Sequence, residues 1–306
     1  MKRKHAFVAI VLVAFFLGGT CHPQTNAAQS PALIAASKSL DGKTQCVAFQ
    51  WEPDGAKGAI TLPVQIEGRT YRFQFDTGAT ANIIYSTIAD REGWSKPTDH
   101  SFQPSTLRVA DAITNRPWIS IFRDMKVTHN ISGTLGLWGL IGRVTVIDFP
   151  GQRVCMFADA DLPQELRTGT AVSATLRNGK LFVPVQIGSF ASDNIMFDTG
   201  SSGLPLMVDL ANWSKITGRT EPEKAPIKHE GLTWGKSTVF YGAPASSQLK
   251  LGKMDLGIPV VFTKQGAPDG LAKMTYKVDG IMGNAPFWDG IVVLDLSANV
   301  QFSFIR

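Results

Sequence analysis

A chain of 306 residues, 44% hydrophobic and 18% charged, reads as globular rather than disordered, with length for two domains that each bury a core. The formal charge of +5 owes much to Lys2, Arg3 and Lys4; without them it falls to about +2, and no later basic run carries interleaved aromatics, which removes nucleic acid from the expected partners. Gly (29) and Pro (17) are plentiful, as in chains made of many short strands joined by tight turns.

Residues 1–28 have the layout of an export signal. Lys2-Arg3-Lys4 form a positive start, Ala6 to Leu17 an apolar run, and Asn26-Ala27-Ala28 a small-residue cleavage site. The apolar run is too short for a comfortable membrane span. The expected location is therefore exported, periplasmic or secreted, with a membrane as partner only if the leader is retained. Cleavage leaves two cysteines, Cys46 in Gln45–Phe49 and Cys155 in Arg153–Phe157, both strand-like. A disulfide and a pair of buried thiols are both open at this point. His100, His129 and His229 are scattered, no Cys/His spacing suits zinc, and neither metal nor cofactor is expected.

From Gly58 the pattern is period-2. Ile60 to Ile66, a Glu67-Gly68-Arg69 turn and Tyr71 to Phe75 predict an antiparallel hairpin. Asn82 to Ser86 resumes strand character, and Thr87 to Glu92 predicts a short helix stopped at Gly93. Leu107 to Val127 reads as a second hairpin around Ala110–Asn115, able to serve as a flap over a cleft. Trp118 and Trp234 lie near such flaps, as possible pocket walls. Asp159 to Thr170 is polar and reads as a linker. Leu181 to Phe197 repeats the first hairpin, Leu206 to Asn212 is a helical candidate, and Thr217 to Lys228 a polar loop. Thr238–Tyr241 and Leu249–Leu251 are expected to make the middle hairpin of the second half. Val300 to Ile305 is a last strand.

Two turns stand out. Phe73-Gln74-Phe75-Asp76-Thr77-Gly78-Ala79-Thr80 and Ile195-Met196-Phe197-Asp198-Thr199-Gly200-Ser201 each deliver one carboxylate from an apolar strand into a small-residue turn. The repeat extends to Pro63-Val64-Gln65-Ile66 and Pro184-Val185-Gln186-Ile187 upstream. Downstream, Trp138–Arg143 is set against Asp279–Asn284, and Val144–Phe149 against Ile291–Leu296. A repeat this long in two copies indicates a duplicated domain, with two carboxylates meeting at a pseudo-twofold axis. Such a pair cannot ionise twice with ease and shares a proton. One member can then act as general base on a water while the other polarises a carbonyl. Gly78 and Gly200 permit the tight turns, and Thr77 and Thr199 can bond across the copies. Asp148 and Asp295 are expected to be structural turn caps.

These residues resemble the aspartic protease superfamily, pepsin-like and retropepsin-like, and the resemblance follows nearly the whole mature chain. It implies an all-β fold of two similar β-barrel-like lobes, residues 29–165 and 166–306, with an active-site cleft between them. It implies Asp76 and Asp198 as the catalytic pair, supported by Thr77, Gly78, Thr199, Gly200 and Ser201. The implied activity is that of an aspartic endopeptidase acting on polypeptide as a monomer, since one chain holds both acids. The alternative is a catalytically silent module of the same fold that binds a peptide or cell-envelope polymer in the cleft. Ser201 against Ala79 makes the two turns unequal, so Asp76 is expected to accept fewer hydrogen bonds. In this resemblance Arg143 sits where retropepsins hold a structural arginine, yet Thr80 stands where they place the acid that pairs with it.

Overall fold

The computed structural model describes residues 29–52, 57–123, 131–233, 236–264, 271 and 276–306; the expected leader, His129 and Trp234 lie outside the described residues. The fold is all-β and two-lobed. Among the described residues a nine-stranded sheet forms the N-terminal lobe and a ten-stranded sheet the C-terminal lobe.

Each lobe starts from the same hairpin. In the first, Ala59–Ile66 pairs antiparallel with Arg69–Phe75. Its two-residue turn, Glu67-Gly68, has both φ angles positive (49° and 74°), the twist that matches a right-handed hairpin. In the second, Lys180–Ile187 pairs with Phe190–Phe197. The alternation seen in the sequence becomes burial: Ile60, Leu62, Val64 and Ile66 lie inside, whereas Pro63 and Gln65 face out. After each hairpin a short parallel strand is laid beside the acid-bearing one. Gly133–Leu135 runs beside Arg69–Phe75, and Gly280–Met282 beside Phe190–Phe197.

A third sheet of six strands is shared by both halves. Its order is Cys46–Ala48, Arg153–Phe157, Val144–Asp148, Ile291–Asp295, Gln301–Ile305, Thr170–Ser173. The central pairing sets Val146 opposite Val293, so the equivalent strands of the two copies meet antiparallel about their midpoints. Cys46 pairs with Cys155 across neighbouring strands and the two are joined as a disulfide, Cα–Cα 4.0 Å. An N-terminal helix, Pro31–Lys38, capped by Ser30, packs Leu33 and Ala36 on this sheet. Asp148, fully buried, accepts from the Gly151 amide, the Ser37 hydroxyl and Arg153 Nε, and so ties helix and sheet together. Asp295 accepts from the Ser297 amide and hydroxyl.

Four expectations need correction. Leu206–Val208 is a strand, buried between Val260–Lys264 and Gly280–Met282, because a fully buried strand shows a continuous apolar run with no period-2 signature. The helix begins later, Leu210–Thr217, where Asp209 accepts from the Asn212 amide (2.7 Å) and Gly218 ends it at φ 71°. The middle hairpin of the second half pairs Ile227–Thr233 with Lys236–Pro244, whereas Leu249–Leu251 joins Lys180–Ile187. The hairpin near residue 110 is Thr106–Val109 with Ala112–Asn115; Ile119–Phe122 leaves it to run parallel to Asn82–Tyr85.

The fourth concerns alignment of the copies. The counterpart of Gly280-Ile281-Met282-Gly283 is Gly133-Thr134-Leu135-Gly136, not the Leu140-Ile141-Gly142 segment. The Asp76 amide donates to the Leu135 carbonyl (3.1 Å) as the Asp198 amide donates to Met282 (2.9 Å). Gly136 and Gly283 are each pressed so close to carbonyl oxygens of the acid-bearing turn that a Cβ would stand 2.3 Å and 1.9 Å away.

Candidate active site

The two acid-bearing turns meet where the lobes face each other. Thr77 N–H donates to Thr199 Oγ1 (2.9 Å) and Thr199 N–H to Thr77 Oγ1 (3.0 Å). Each hydroxyl then donates onward, Thr77 Oγ1 to the Phe197 carbonyl and Thr199 Oγ1 to the Phe75 carbonyl, both 2.9 Å. Four buried hydrogen bonds therefore lock the turns to one another. Threonine suits the position because one hydroxyl can accept and donate at once. Gly78 and Gly200 complete the contact: a Cβ on Gly78 would lie 2.3 Å from Asp198 Oδ1, and one on Gly200 2.7 Å from Asp76 Oδ1. Each carboxyl thus rests on the glycine of the opposite turn, which no other residue type permits.

The carboxyls are unequal. Asp198 accepts from the Gly200 amide (2.9 Å) and from the Ser201 hydroxyl (2.9 Å), one bond to each oxygen. Asp76 accepts one, from the Ala79 amide to Oδ1 (3.0 Å), and its Oδ2 receives no hydrogen bond. Burial pushes the Asp76 carboxyl well above the usual carboxylate range, and the Asp198 charge adds to it, as does the hydrogen bond that a protonated Asp76 makes to Asp198. Asn284 braces the second turn through the Thr199 carbonyl and the Ser202 hydroxyl. Tyr85, at the end of Asn82–Tyr85, is held neutral by burial, its pKa pushed up to about 12, and Asp76 contributes to that rise.

Both acids are 0% exposed. A residue that the sequence did not mark belongs to the same cluster. Lys180 begins Lys180–Ile187 just after the Asn178-Gly179 turn, whose φ angles are 52° and 68°. It is 1% exposed, and its Nζ donates to the Gly78 carbonyl of the opposite lobe. Burial pushes its pKa below the usual lysine range, while the charges of Asp76 and Asp198 push it back up. The available signal was the Asn-Gly turn, which starts a strand at a fixed place; nothing in composition says that a lysine there points inward.

Other candidates fall away from the pair. Arg143 donates to the Ile113 carbonyl (2.7 Å) and so holds the Ala112–Asn115 strand rather than a carboxylate. Trp118 is 60% exposed. His229 and His100 lie on separate strands and loops, and among the described residues no group of three or more His, Cys, Asp or Glu could hold a metal ion. No helix among the described residues is long and apolar enough to cross a membrane.

No protein-family model and no curated protein sequence matches the chain. Among solved structures it is similar to basic 7S globulin from soybean, at 12% identity over 85% of this chain and 96% of that one, TM-score 0.48. It is also similar to conglutin gamma, a basic 7S globulin from lupine seeds, at 11% identity over 85% and 94%, TM-score 0.49.

Proposed function

We propose that the protein is an aspartic endopeptidase of the pepsin-like and retropepsin-like kind, exported and active as a monomer on polypeptide, with Asp76 and Asp198 as its acid pair. The observation that carries this reading is the cross-lobe threonine lock, which fixes two buried carboxyls face to face while leaving one of them short of donors. Asp76 holds the shared proton, because its neutral form is favoured. Asp198, which accepts a hydrogen bond at each oxygen, is the general base. In the reaction Asp198 takes a proton from water as the water oxygen bonds to the scissile carbonyl carbon, and Asp76 protonates the carbonyl oxygen. The amide nitrogen then takes the proton from Asp198 while Asp76 takes one back from a hydroxyl of the tetrahedral intermediate, so that the carbonyl re-forms, the C–N bond breaks and the pair again holds one proton. Thr77, Gly78, Thr199, Gly200 and Ser201 hold the geometry. Because the pair is buried, turnover requires a motion that admits substrate and water to it.

The test is cleavage of a denatured polypeptide by purified mature protein from acidic to neutral pH. Activity lost in both Asp76→Asn and Asp198→Asn supports the reading; equal activity in both variants and wild type overturns it. One observation favours a second reading, a silent module that binds a peptide or envelope polymer between the lobes: both acids are fully buried and a buried lysine is fastened to the Gly78 turn beside them. That reading expects retained ligand binding with no cleavage by any of the three proteins.

A further inference from the structure

Lys180 is a buried cation that donates to a backbone carbonyl, and an ammonium in that position is costly unless negative charge faces it. The charges that act on it are Asp76 and Asp198. Its acceptor, the Gly78 carbonyl, belongs to the residue on which the Asp198 carboxyl rests, so the ammonium is fastened to the turn that carries Asp76 and supports Asp198. The approach is built. Gly179 lies so close to Thr80 that a Cβ would stand 2.2 Å from its methyl, which brings the C-terminal-lobe turn onto the N-terminal-lobe turn. It is also one-sided. Counting back from the matching Pro184 and Pro63, the place of Lys180 is taken in the first copy by Ala59, which is buried and carries no charge.

We propose that Lys180 is a positioning residue of the acid pair, which fastens the Gly78 turn from the opposite lobe and sets one fixed positive charge beside Asp76 and Asp198, so that the cluster is electrically neutral when the pair holds one proton. The catalytic consequence rests on the endopeptidase reading; the electrostatic role does not. Among the described residues, the charged and titratable groups that act on the pair are each other, Lys180 from Lys180–Ile187, and Tyr85 from Asn82–Tyr85, which stays neutral over the working range. A cation beside carboxyls favours their ionised form, so the singly protonated pair is displaced toward lower pH.

The experiment uses the full mature chain with Lys180→Met, which keeps the stem, Lys180→Gln, which keeps a donor for Gly78 but no charge, and Lys180→Arg, which keeps the charge. Two readouts run together: carboxyl ¹³C titration of the pair, and the pH profile of kcat/KM on a denatured polypeptide. In the Met and Gln variants both should move to higher pH by about 1–3 units, with Arg near wild type. Superimposable titrations in all four proteins, with only melting temperature lowered in the neutral variants, would reduce Lys180 to packing and overturn the proposal. If no protein cleaves the substrate, the endopeptidase reading fails while the titration still decides the role of Lys180. If neither neutral variant folds alone, each is combined with Asp198→Asn, which leaves Asp76 as a single carboxyl that can stay protonated: a cation needed only to offset the pair becomes dispensable and folding returns, whereas continued failure to fold rejects the proposal.

Discussion

The two acid-bearing turns share one backbone and differ in how they treat their carboxyls. In the first, Ala79 offers only its amide to Asp76; in the second, Ser201 adds a hydroxyl to Asp198 and Asn284 braces the turn from behind. The threonines, in contrast, bond in matched pairs to within 0.1 Å, 2.9 and 3.0 Å for the amides and 2.9 Å for both carbonyls. Symmetry is thus kept where the turns must hold each other and abandoned where a proton must choose a side. A pair with equal surroundings would share the proton evenly; this one gives it a preferred owner.

That contrast can be broken outright. Asp76→Asn and Asp198→Asn should each lower kcat/KM on a denatured polypeptide by roughly 10²–10⁴-fold, the usual range for removing a general acid or base. The lobes also differ in their stapling. Cys46–Cys155, 109 residues apart in sequence, secures the outer strand of the shared sheet on one side, while Thr170–Ser173 on the other side pairs with Gln301–Ile305 and packs Val172 into the core without a covalent link. Replacing both cysteines by serine should cost about 4–5 kcal/mol on the loop-entropy scale, read by chemical denaturation of wild type and variant.

The threonine lock should respond symmetrically. Thr77→Val and Thr199→Val each leave a buried amide without its acceptor, at about 1–3 kcal/mol apiece, and matched losses in urea denaturation would confirm that the lock is shared. Ser201→Ala sharpens the asymmetry from the other side. It removes one donor from Asp198 and should reduce kcat/KM about tenfold, the effect of about 1.4 kcal/mol.

Stability against pH separates the acids without any substrate. The Asp76 carboxyl is raised in the folded state, so the fold binds this proton more tightly than the unfolded chain does. Its contribution is therefore full below the ordinary carboxylate pKa, 3.8, and is lost as pH rises through the folded value. Asp76→Asn, which stays neutral, should melt near wild type in strong acid and increasingly above it toward neutrality. Parallel melting curves across that range would contradict the assignment of the proton to Asp76.

Much of this was legible in the residues. Alternation from Ile60 to Phe75 and from Leu181 to Phe197 gave the hairpins, because one face of each strand is buried and the other wet. The duplicated Asp-Thr-Gly context gave the pair, because only a repeat brings two such turns together. The errors share a cause. Leu140-Ile141-Gly142 matched Ile281-Met282-Gly283 by residue type better than Thr134-Leu135-Gly136 does, yet pairing beside Phe75 decides the register, and Thr134 is buried there despite its hydroxyl. Leu206–Val208 imitated a helix because both neighbours of the strand hide it. Lys180 was silent because burial of a lysine is written in the opposite lobe, not in its own neighbourhood.

The strand Val144–Asp148 meets its equivalent Ile291–Asp295 antiparallel about a common midpoint, Val146 opposite Val293. A lone ancestral half would therefore have carried an edge complementary to itself and could have assembled as a twofold dimer. Fusing the copies turned that encounter between separate molecules into a contact within one, freed from dependence on how much protein is present. It also released the halves from identity, which is the condition under which a lysine, a serine and a disulfide could each be placed on one side alone.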